Sequence, residues 1–145
     1  MLRQGMLQFI ARGVAIACVL GLPSAARAAE SPEDAAQKAA ESWLALVDSG
    51  KYPESWDEAA ALLKGAMTPE QWTQTLKGVR DPLGKLRSRK IKSRQYAETL
   101  PGAPDGKYVI LQFDTVYEHK ASAIETVTPM LDKDGSWRVS GYYLK

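Results

Sequence analysis

Residues 107–118 read KYVILQFDTVYE, Lys107 through Glu118. In an extended chain Val109, Leu111, Phe113, Thr115 and Tyr117 point to one side, and Tyr108, Ile110, Gln112 and Asp114 to the other. One side can be buried while the other meets water, so the pattern predicts a strand of an antiparallel sheet with one covered face. From Leu86 to Lys145 the chain is rich in Val, Ile, Thr and Tyr, and three further strands are predicted there: Leu86–Tyr96, which is long and heavily charged, Ser122–Leu131 and Ser136–Leu144. Asp132-Lys133-Asp134-Gly135 predicts a tight hairpin turn between the last two, and Pro101–Gly106 a rigid loop between the first two.

Upstream of Leu86 the period changes from two to 3.6. Ser31 reads as an N-cap, with Pro32 at the first helical position and Glu33 and Asp34 at the positive end of the helix dipole. Ala36, Ala40, Trp43, Leu44 and Val47 then form one apolar face before Gly50. A second helix is predicted from Pro53, aligning Trp56, Ala59, Ala60 and Leu63 before Gly65. Thr68-Pro69-Glu70-Gln71 is a capping box that opens a third, whose face is Trp72, Leu76 and Val79 and which Pro82 ends. Helices first and strands second give an α+β fold: three N-terminal helices on a curved four-stranded antiparallel sheet, expected as a single domain over residues 29–145.

The first 28 residues have the composition of a signal peptide. Arg3 and Arg12 precede the ten-residue apolar run 13–22, Pro23 and Ser24 break it, and Ala26 and Ala28 supply the small residues of a cleavage site. Ten apolar residues fall short of the roughly 20 that span a bilayer. The whole chain of 145 residues carries 19 bases and 17 acids, a formal net charge of +2. Three of those bases and none of the acids lie in the leader, so a mature chain of 117 residues carries 16 bases against 17 acids. The basic balance therefore gives no reason to expect a nucleic-acid partner. Cys18, the only cysteine, also lies in the leader. A lipoprotein acylated at Cys18 is the alternative, although the residues before it match a lipobox poorly. Cleavage after Ala28 leaves no thiol for a disulfide, a nucleophile or a metal, and no membrane insertion thereafter. The expected location is the periplasm or the exterior.

Trp43-Leu44, Val47-Asp48-Ser49-Gly50-Lys51-Tyr52 and Ser55-Trp56 resemble the bacterial exported family called domain of unknown function 4019. Gln71-Trp72, Val79-Arg80, Pro82-Leu83-Gly84, Ser88-Arg89, Leu100-Pro101-Gly102, Pro104-Asp105-Gly106, Tyr108-Val109, Glu125-Thr126-Val127 and the ending Asp134–Tyr143 extend the likeness over nearly all of the mature chain. The resemblance implies export and an architecture but no catalytic residue. The order of elements is similar to the cystatin-like or nuclear-transport-factor-2-like cone, a fold that hosts isomerases, dehydratases, binding modules and scaffolds alike.

No constellation in the sequence specifies a reaction. His119, the one histidine, stands in a polar turn, so neither a histidine metal site nor a Ser-His-Asp triad is expected. Counting from Asp132, the twelfth residue of a would-be calcium loop is Tyr143, which excludes an EF-hand. No Gly-rich loop joins a strand to a helix, and no cofactor is expected. Six of the ten residues 85–94 are Lys or Arg. Strict alternation places Arg87 and Arg89 on one face and Lys90, Lys92 and Arg94 on the other. With only Tyr96 available for base stacking, the run reads as a charged edge strand that resists edge-to-edge pairing.

Two kinds of residue remain as site candidates. Trp43, Trp56, Trp72 and Trp137 read mainly as core, with Trp56 the exception that could cover the mouth of the sheet. Glu125 shares a strand face with Ala123 and Val127, so it is expected to point inward and to pair with Arg80 or Arg89. The expected function is a small-ligand- or protein-binding module of the cell envelope, with Trp56, Arg80, Arg89 and Glu125 as candidate binding residues. Two alternatives stand beside it. One is a small isomerase- or hydrolase-type enzyme using Glu125, and the other a homodimer formed through the open face of the sheet.

Overall fold

The structure is a computed structural model that describes residues 28–145. Residues 1–27, which hold Cys18 and all of the expected leader but its last residue, lie outside that range. Four α-helices precede four strands: α1 (Pro32–Asp48), α2 (Tyr52–Asp57), α3 (Ala61–Ala66), α4 (Pro69–Arg80), then β1 (Leu86–Ala97), β2 (Tyr108–Tyr117), β3 (Lys120–Leu131) and β4 (Trp137–Leu144). The sheet is antiparallel throughout, in the order β1-β2-β3-β4. The α+β class, with helices packed on a four-stranded sheet, is therefore as the periodicity predicts.

The helix signals act through the atoms expected of them. Ser31 Oγ accepts from Asp34 N at 3.1 Å, and Thr68 and Gln71 complete a reciprocal capping box. In α1, Ala36, Ala40, Trp43, Leu44 and Val47 are all buried. They meet Val109, Leu111, Phe113, Val127 and Val139 of the sheet in one core. Fully burying a side chain the size of these valines, leucines or Phe113 stabilises the fold by about 1.5–3 kcal/mol.

The helix expected from Pro53 through Leu63 is instead two short helices, so the helical layer has four members rather than three. Alanine-rich sequence favours continuing, but tertiary contacts win. Ala60 is extended, and its N–H leaves the helical ladder to donate to Val139 O of β4 at 2.8 Å. Trp56 Nε1 donates across the break to Met67 O at 2.9 Å. The interruption ties the helical layer to the last strand.

The basic strand also departs from simple alternation. Register shifts between Leu86 and Ser88 and between Ile91 and Ser93 add residues to β1. Arg89 opposes Thr115 and Arg94 opposes Leu111, so these two arginines share the helix-facing side, with Lys90 opposite Asp114 on the other. The expected grouping of Arg94 with Lys90 and Lys92 is thereby corrected, because a bulge shifts the facing of every residue beyond it. Arg94 Nη1 reaches Asp34 on α1 at 2.6 Å. A further irregularity lies at Thr128–Pro129, where a residue without an N–H interrupts the pairing of β3 with β4. The hairpin is as expected, with Gly135 at φ 83° and its N–H donated to Asp132 O.

Candidate functional site

Glu125 points inward from β3 and is completely buried. An unpaired carboxylate there would be costly, and the fold surrounds it with donors. Arg89, from the adjoining but one strand, gives Nε to Oε1 at 2.7 Å and Nη2 to Oε2 at 3.2 Å. Thr115 Oγ1 donates to Oε1 at 2.7 Å, and the Tyr142 hydroxyl donates to Oε2. Of the two expected partners, Arg89 is the one that holds Glu125.

Arg80 belongs to the same network at one remove. Its Nη2 binds Asp48 Oδ1 at 2.6 Å, and Asp48 also receives Arg89 Nη1 and Nη2 at 2.7 and 2.9 Å. The order is Arg80, Asp48, Arg89, Glu125, two positive and two negative charges, so the interior is balanced. The Arg80 guanidinium also lies 4.9 Å from the Tyr117 ring centroid, a cation–π contact. Among the described residues, Nε and Nη1 of Arg80 and the Tyr117 hydroxyl are buried without a partner. Asp48 was not visible as part of this cluster in the sequence, where it reads as the polar end of α1. Its position one turn beyond the buried Leu44 was the only local signal.

Burial alone would raise the pKa values of Glu125 and Asp48, but the arginine hydrogen bonds and charges outweigh it and hold both below the carboxylate range. Burial, then the nearby Glu125 charge, pushes Tyr117 up to about 12 and Tyr142 higher still. Glu125 is thus an ionised carboxylate with both oxygens occupied and no exposure. That arrangement can cross-link β1, β3, β4 and, through Asp48, α1. It leaves Glu125 no free oxygen with which to take a proton from a substrate.

Trp56, the fourth sequence candidate, lies elsewhere. It is half-buried, held by Met67 O and with Lys64 Nζ 5.4 Å from its ring centroid. The aromatic residue that opens toward solvent in a cavity is Trp137. A groove of about 610 Å3 runs between α1, the end of α2 and the start of β4. Ala39, Trp43 and Leu46 form one wall and Trp137 and Val139 the other, with Ser42, Glu54, Glu58, Ser136 and Arg138 along it. Trp43 is anchored by Nε1 to Ser55 O at 2.7 Å and packs against Trp72 and Tyr142 at ring separations of 5.9 and 5.5 Å. A rigid aromatic wall follows, and Tyr142 connects it to Glu125.

The opposite sheet face has a different character. Ser93, Gln112, Thr126 and Tyr143 are paired in one row across all four strands. Tyr143 is 62% exposed, but amides and hydroxyls beside it prevent a continuous apolar patch. No helix of the described residues is long and apolar enough to cross a membrane, and no cluster of three or more metal-binding side chains occurs among them.

No curated protein matches the chain. Residues 39–142 match the family described as protein of unknown function (DUF4019), a span that contains the groove and every member of the buried ion network. The chain belongs to that family.

Proposed function

We propose that this protein is a small-ligand-binding module of the cell envelope, and that the groove between Trp43 and Trp137 is its binding surface. One observation carries the reading: the groove combines a volume of about 610 Å3 with two apolar walls and polar groups along it. Binding sites for small molecules have that size and composition. The enzymatic alternative built on Glu125 draws less support, because Arg89, Thr115 and Tyr142 already occupy both carboxylate oxygens. Arg80, Arg89 and Glu125 act in this reading as the frame behind the Trp43 wall.

A thermal-shift screen of small metabolites tests it, with each hit repeated on Trp137→Ala. A ligand present at 100 times its Kd stabilises the folded state by about 2.7 kcal/mol, which raises the melting temperature by several degrees in a protein of this size. Those shifts are expected to disappear in Trp137→Ala. Hits indifferent to Trp137 would move the binding surface elsewhere.

Export is the second part of the proposal. It draws support from the charge and apolar pattern of residues 1–28, and from the first helix being capped at Ser31, beyond the cleavage point. The mature protein is expected to begin at Ala29, as read by intact mass of the product released by its own cell. Retention of a lipid-modified Cys18 would place it on a membrane surface instead.

A further inference from the structure

We infer that the groove takes an organic cation, an ammonium or guanidinium carried on an apolar body, in preference to a neutral or anionic ligand. This rests on the binding reading above and adds the sign of the ligand's charge. The apolar walls are supplied by Trp43, Leu46, Trp137 and Val139, which accommodate an apolar body of either charge. The rim decides between them.

Three charged residues stand on that rim: Glu54, Glu58 and Arg138. Arg138 is already neutralised. Its Nη1 and Nη2 reach the two carboxylate oxygens of Asp134, each at 2.8 Å, and Nη1 also reaches Asp132 at 3.2 Å. A fork bound to one carboxylate and touched by a second is poorly placed to receive an anionic ligand. Glu54 and Glu58 are exposed, and neither carboxylate has an ion-pair partner among the described residues. They sit four residues apart, where like charges repel and a shared cation relieves the repulsion.

The partly exposed Trp137 indole favours the same sign. A ring face attracts a cation through its quadrupole and gives an anion no such gain. Of the eight acids in the segment from Glu30 to Glu58, which builds α1 and α2 on one side of the groove, Glu30, Asp34 and Asp48 are paired with Lys38, Arg94 and the two arginines Arg80 and Arg89, which leaves Glu33, Glu41, Glu54, Asp57 and Glu58 against Lys51. Their field adds to that of the rim and steers cations inward. Groove shape, aromatic walls and unbalanced charge therefore agree.

The test uses two probes of nearly equal size and opposite charge, phenethylammonium and phenylacetate. Binding is followed through the indole N–H signals of Trp43 and Trp137 in the isotope-labelled protein. Phenethylammonium is expected to shift both signals and to bind about 10-fold more tightly than phenylacetate at low salt, with the difference shrinking as salt screens the rim. The double variant Glu54→Gln, Glu58→Gln should reduce that preference to about threefold or less while leaving both indole signals in place. If phenylacetate binds as well or better, and Trp137→Ala abolishes both, the charge assignment is overturned and the groove stands. If neither probe moves either indole signal up to about 10 mM, which is weaker than ordinary fragment binding, the groove reading falls with it.

Discussion

Replacing Glu125 by glutamine should cost about 3–5 kcal/mol in urea unfolding at neutral pH, the range for breaking a buried ion pair by removing one member. Glutamine has nearly the same shape, so the loss does not come from a cavity. It comes from Arg89, a largely buried guanidinium that keeps Asp48 but loses the carboxylate on its other side. The glutamine amide nitrogen would also face either Thr115 Oγ1 or the Tyr142 hydroxyl, turning an acceptor into a donor at one of them. For an ordinary protein of this size the total stability is about 5–15 kcal/mol, so the variant should be close to unfolding when warmed. A neutral or stabilising outcome would mean that Glu125 is not held by the pair.

The same network sets an acid dependence whose sign follows from the lowered pKa values of Glu125 and Asp48. A carboxyl depressed in the folded state contributes its full stabilisation above its unfolded pKa, near 4. The contribution is lost as pH falls through the lower folded value. The wild type should therefore lose stability steeply below about pH 4, and Glu125→Gln should show a shallower acid slope because one of the two carboxylates is gone. Equal slopes in the two proteins would contradict the assignment.

Trp43→Ala should be comparably severe, about 3–5 kcal/mol. Trp43 is 3% exposed and packs against two other aromatic rings, so truncation opens a cavity that Ala40 and Leu44 on the same helix cannot fill. It also removes the donor to Ser55 O. Trp43→Phe keeps much of the ring area and loses the N–H, so it should fall between the wild type and the alanine variant. Chemical denaturation of the three proteins orders them. A Trp43→Ala protein within about 1 kcal/mol of the wild type would show that the aromatic wall is not a packed element.

Much of the fold is visible in local sequence because local physics decides it. The alternation of Val109 through Tyr117, the caps at Ser31 and Thr68, and the Asp132–Gly135 turn each depend on residues within a few positions of one another. The inward direction of Glu125 follows from period two, and its need for a partner follows from desolvation. Arg80 and Arg89 are the two arginines expected to meet that need, and Arg89 is the one that does. What was not visible depends on residues far apart in the chain. Ala60 leaves its helix for Val139, and Asp48 is placed by Arg80 and Arg89. Neither Ala60 nor Asp48 is unusual in its own neighbourhood. The bulge at Ile91–Ser93 has no Gly or Pro to announce it, and without it Arg94 cannot be placed on the helix side. The groove suffered likewise. Trp56 stands out in an Ala-rich helix, but Trp137 becomes the accessible indole only when β4 lies beside α1.

Copies of a protein that stack strand against strand into a polymer each need two vacant sheet margins, one to receive and one to offer. Here the two margins are unequal. On β4, the Ala60 N–H already occupies the Val139 carbonyl and α3 packs alongside. On β1, Lys90, Lys92 and the two register shifts face any arriving copy. The break between α2 and α3 thus leaves β4 with fewer vacant hydrogen-bonding groups than a bare edge strand would offer.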